Sequence, residues 1–153
     1  MTAYNELLNT TFRNVRKARK ISDDAYFDEH LKSQLSHRVA LLFSLDVILN
    51  EYKNSLANCL LPIRSEAALV HKIMTKYSWQ PSAVRAMSLL DQLFAIADDL
   101  QPEKLPAEAQ ATLAKLGQSH PFVFPDIEDG EWEPAFAETI FAAHQRMQPA
   151  NGR

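Results

Sequence analysis

The chain has 153 residues, a formal net charge of −3, three glycines and one cysteine. A lone cysteine excludes an intrachain disulfide scaffold, and a pI near 5.9 argues against a dedicated nucleic-acid binder. At this length a single domain buries roughly 70% of the surface that its unfolded chain exposes, enough to fold without a metal or a cross-link.

Charge is distributed unevenly. Residues 1 to 20 carry Arg13, Arg16, Lys17, Arg19 and Lys20 against Glu6 alone. Residues 126 to 138 carry Asp126, Glu128, Asp129, Glu131, Glu133 and Glu138 with no base. The opening MTAYNELLN lacks the apolar stretch of a secretory leader, and Cys59 lies in the apolar context LANCLL, as a small buried hydrophobe does. The expected location is cytoplasmic.

No glycine or proline occurs from residue 1 to 61, which permits long helices. The spacing of Tyr4, Leu7, Leu8, Phe12 and Val15 predicts a helix over about 3–20. Ser22 fits an N-cap, with Asp23 and Asp24 complementing the dipole of the next helix. Phe27, Leu31, Leu35, Val39 and Leu42 carry the same period onward, as one helix to residue 61 or as two broken near Ser33 to Ser36.

Within that region HRVALLFSLDVILNEY, residues 37–52, is apolar all round, as a helix buried on most sides is. It is the expected central post, and its apolar run is too short for the roughly 20 residues of a membrane span. Asp46 interrupts it. An ionised carboxylate there needs a partner, either a polar seam with Ser44 or Asn50 or a base such as Arg85 or Arg38.

Pro62 fits a break between elements. Residues 63–77 predict a helix with Ala67, Leu69, Val70, Ile73 and Met74 inward, and Pro81 opens another, to about Leu100, with Ala83, Met87, Leu90, Phe94 and Ala97 inward. A short helix over Pro106 to Leu116 ends at Gly117. The stretch HPFVFPDIEDGEWEP has too many prolines for a regular element and interleaves five acids with Phe122, Phe124, Ile127 and Trp132. A last helix over about 134–147 uses Ala135, Phe136, Ile140, Phe141 and Ala143, and the final residues fray. The expected fold is all-α, a single-domain bundle of about five to seven helices with an irregular acidic-aromatic arm at 118–133.

Chemistry is sparse. Asp24 and Asp28, with Glu29 and His30 beside them, could converge with Asp98 and Asp99 on a divalent cation, but first-turn acids ordinarily serve the helix dipole, and the spacing matches no metal site. His30, His37, His71, His120 and His144 are scattered, with no second ligand three or four residues away. No nucleophile elbow or phosphate-cradling glycine loop occurs. The sequence names no catalytic residue, no metal ligand and no cofactor.

The arm is the feature that suits binding. Aromatic side chains desolvate well at an interface, and carboxylates steer a basic partner at long range. The leading expectation is a non-enzymatic protein that inhibits, neutralises or scaffolds a more basic macromolecule, as immunity, antitoxin or anti-defence proteins do. The proposed contacts are Asp126, Glu128, Asp129, Glu131, Trp132 and Glu133. The alternative is a DNA-associated regulator that holds phosphates with Arg13, Arg16, Lys17 and Lys20. It would add Arg85 from a helix-turn-helix-like pair at 66–90. A homodimer through the first helix is compatible with either reading.

Overall fold

Freed from glycine and proline, the first third of the chain builds two helices, and the second is the post around which the others stand. The computed structural model describes residues 2–22, 28–56, 58, 60–61, 63–117 and 121–148. Among these residues seven α-helices occur in order: α1 (Ala3–Ala18), α2 (Glu29–Ser55), α3 (Ser65–Tyr77), α4 (Pro81–Arg85), α5 (Leu89–Ala95), α6 (Ala107–Leu113) and α7 (Pro134–Met147). Among the described residues there is no strand, and no helix is long and apolar enough to cross a membrane.

α1 starts where the Thr2 side chain accepts from the amide of Asn5, and it stops where Lys20 turns into the left-handed region at φ 54°. α2 is capped by Asp28, whose carboxylate accepts from the amides of His30 and Leu31 at 2.9 and 3.3 Å. The helix then runs without a break through Ser33 to Ser36. The alternative of two helices is thereby removed. Ser22 is not its cap. Asp23, Asp24, Phe27, Cys59, Pro62 and His120 lie outside the described residues.

Val39, Leu42, Phe43, Leu45, Val47 and Leu49 are all sealed from water, as a post packed against α1, α3 and α7 must be. One apolar cluster joins them to Leu7 and Val15 of α1, Leu69 and Ile73 of α3, Val84, Leu93, Ala109 and Ile140, so each of these helices contributes to the same core. Tyr4 meets Phe43 and Phe141 edge to face at 6.4 and 6.0 Å between ring centres.

The long helix expected from Pro81 to Leu100 is instead broken. Ser88 leaves the helical region and its hydroxyl caps α5 by accepting from Asp91, and a 3-10 turn over Ala97–Leu100 comes next. The break changes the register, so Val84, Leu93 and Ile96 face the core while Phe94 is 71% exposed. Ala67, Phe136 and Ala143 are likewise on the outside, not inward as their spacing suggested.

Candidate functional site

Residues 121–133 form the irregular arm, and the side of it that meets the bundle is organised by arginine. Arg19, one residue beyond α1, and Arg38, in the first half of α2, both reach Glu131. Arg19 Nε donates to Glu131 Oε1 at 2.7 Å and Arg38 Nη1 donates to Oε2 at 2.9 Å. The amide of Glu128 gives Oε2 a further hydrogen bond at 2.6 Å. Glu131 is 1% exposed, so this is a buried charge held by two guanidiniums and an N–H.

The same arginines bind the arm's backbone. Arg19 Nη2 donates to the Asp126 carbonyl at 2.6 Å and to its Oδ1 at 3.1 Å, while Arg38 donates to the carbonyls of Asp126 and Phe124. The Arg19 guanidinium lies 3.7 Å from the centre of the Phe124 ring. Burial opposes the Arg19 charge, but its bonds to Glu131 and Asp126 outweigh that and raise its pKa. Arg38 is more deeply desolvated and also faces Arg19, so its pKa is lowered despite Glu131. Both stay cationic at any physiological pH.

A second tie joins the arm to the post. Trp132 Nε1 donates to Asp46 Oδ1 at 2.8 Å. Asp46 is 6% exposed, and burial pushes its carboxyl up to about 7, against the opposing effects of Trp132 and Lys53. The partner of Asp46 is therefore an indole N–H, not the seam or base expected: Ser44 bonds the Ala40 carbonyl, and Arg38 is committed to the arm.

Glu131 and Trp132, expected at a partner contact, thus turn inward. Glu131 is sealed and Trp132 is half-buried, and both serve to fix the arm. Asp126, Glu128, Asp129 and Glu133 remain on the surface, Asp126 with its side chain 68% exposed although Arg19 touches it. Leu89, Leu90, Ile127 and Trp132 lie beside Asp126, Glu128 and Asp129 in an open groove of about 510 Å³. Leu89 and Trp132 also line a neighbouring groove of about 480 Å³ with Val70, Met87 and Arg85. Sequence reasoning misses the groove at the arm, because on an unbroken helix Leu90 belongs to the inward stripe.

The remaining candidates are dispersed. Arg13 donates to Thr10 of its own helix, Lys17 and Lys20 are exposed, and Arg16 stands over the Phe12 ring. Arg85 is far along the chain on α4, whose five residues are too few for a recognition helix, so the helix-turn-helix expected at 66–90 is not formed. Asp28 is a cap, and Asp98 and Asp99 pair with Lys76. Among the described residues no group of three or more His, Cys, Asp and Glu could hold a metal ion. His144 meets Glu6 at 2.9 Å, His71 meets the Tyr52 hydroxyl at 2.7 Å, and His30 packs on Phe122.

Compared with protein families, with curated proteins and with solved structures, the chain matches none.

Proposed function

We propose that this is a binding protein without catalytic machinery, one that captures a basic, amphipathic segment of a larger partner and so inhibits, neutralises or scaffolds it. The observation that carries the reading is the groove at the arm. Leu89, Leu90, Ile127 and Trp132 give it apolar lining, and the exposed acids Asp126, Glu128 and Asp129 line it too. A helix or loop presenting leucine-like side chains on one face and lysine or arginine beside them complements that pattern. Apolar contacts would hold such a segment, while the carboxylates accelerate its arrival in a salt-dependent way. The arm is also fixed in advance by Arg19, Arg38 and Asp46, so little ordering cost falls on binding.

Affinity capture from native lysate, followed by reconstitution with the purified partner, tests the reading. The partner should be basic, and replacing Glu128 and Asp129 together by lysine should weaken the complex at least about tenfold. Unchanged affinity in that variant rejects the groove as the contact.

A further inference from the structure

The two sides of α7 differ in kind. Pro134, Ala137, Ile140 and Phe141 turn inward and join the helix to the core. On the outer side Phe136, Thr139, Ala143 and Met147 follow one another at steps of three and four, which sets them on one stripe. Phe136 is 51% exposed and Met147 78%.

Charge is missing from the middle of that outer side. Between Glu133 and Arg146 the exposed residues are Ala135, Phe136, Thr139, Ala143 and Gln145. The charged or titratable residues of the same stretch are spent on the bundle: Glu138 accepts from the Ser65 amide of α3, and His144 meets Glu6 of α1. The outer face of a solvated helix ordinarily carries charges, and that of α1 does, with Arg13 and Lys17 exposed. A centre depleted of charge, with aromatic, methionine and arginine side chains around it, is what sets an interface apart from the surrounding surface.

The order of the residues says what covers this face. In an antiparallel pair of α7 helices centred between Thr139 and Ile140, Phe136 stands opposite the partner's Ala143, a large side chain against a small one, and symmetry makes the contact twice. Glu133, exposed at the N-cap, stands opposite the partner's Arg146, exposed in the last turn, so an acid meets a base at each end. A two-fold contact requires a surface complementary to itself, and here both size and charge are arranged so. A foreign helix would require neither.

We infer that α7 pairs with α7 of a second copy of this chain, antiparallel and about a two-fold axis, to form a weak homodimer. The length of the helix sets the strength. About 20 Å of helix on each side buries less than the roughly 1,200 Å² of a stable complex, so the dissociation constant should be on the order of 10–100 µM. The face shares no residue with the groove at the arm, so the two contacts use different side chains.

Sedimentation equilibrium of the full chain from about 5 to 500 µM is the test, with the mass rising from one 17.3 kDa chain toward two. Ala143→Glu changes an exposed site and sets a carboxylate against the partner's Phe136; it should leave a monomer throughout, with the far-UV spectrum and urea midpoint of wild type. Glu133→Arg and Arg146→Glu, made singly, bring like charges together and should each weaken the dimer about tenfold, whereas both in one chain should restore it to within about threefold of wild type. Each reversal opposes the dipole of α7, so an effect on the helix alone would make the double variant the weakest. A chain that stays monomeric at about 500 µM overturns the inference. So does a dimer that survives Ala143→Glu, or a double variant no stronger than the single ones.

Discussion

The post and the arm each bury one carboxylate, and the two are treated in opposite ways. Asp46 sits inside α2 between the sealed Leu45 and Val47, and the donor that reaches it is the neutral Trp132 indole. Glu131 sits in a segment with no helix hydrogen bonds of its own and receives Arg19, Arg38 and an amide. Burial alone does not decide the state of an acid; the charge of the groups buried beside it does. An unpaired carboxyl is pushed toward its neutral form, whereas a paired one can organise a whole segment. The arm is built on the second principle and merely latched by the first.

Breaking the Glu131 cluster has the largest expected effect. Glu131→Ala removes the buried carboxylate that Arg19, Arg38 and the Glu128 amide share and leaves the arginines only the Asp126 and Phe124 acceptors and the more exposed acids, so equilibrium unfolding in urea should show a loss of about 3–5 kcal/mol. Glu131→Leu should be no kinder, since the arginines stay.

Asp46 sharpens the comparison through pH. Its folded pKa, about 7, lies above the ordinary 3.8, so its proton stabilises the fold fully below about 4, and that stability is lost as the pH rises through about 7. Asp46→Asn keeps an oxygen for the Trp132 N–H and carries no charge at any pH. Between about pH 5.5 and 8.5 the stability of the variant relative to wild type should therefore rise by roughly 2 kcal/mol. Parallel curves in urea titrations at several pH values would show that Asp46 is not protonated in the fold. Trp132→Phe keeps an aromatic ring but removes the donor, and should cost about 1–2 kcal/mol at pH 8, where the carboxylate most needs it.

Arg19→Lys is a smaller break. It keeps the charge but loses the fork between Glu131 and Asp126 and the contact with Phe124, for a loss of about 1 kcal/mol by thermal melting. Smallest of all should be the effect of Glu128→Lys with Asp129→Lys on stability, within about 0.5 kcal/mol, since both side chains are on the surface and Glu128 meets Arg19 only at 3.7 Å. A large loss there would mean that these residues hold the arm and are not available to a partner.

The helices were legible because their signals are local. The all-round apolar pattern of residues 37–52 marks a buried post, and the prolines at 81 and 134 mark where α4 and α7 begin. The break at Ser88 was not legible, because serine caps a helix or sits within one according to what its neighbours pack against. Phe94 shows the consequence: a spacing that looks inward on one long helix points outward on two short ones.

The arm shows the larger gap. Its acids and the bases of the first twenty residues stand out as opposite in sign, but each reads as a surface awaiting something foreign. Arg19 and Glu131 are 112 positions apart, and nothing in either neighbourhood tells that they meet. Composition and period by themselves determined that the chain is helical, that residues 37–52 lie innermost and that 121–133 is irregular, since these depend on neighbours within a turn or two. Which charges are spent within the molecule and which face outward was decided only when the chain closed on itself, because pairing energy depends on distance in space and on exclusion of water, and the order of residues encodes neither.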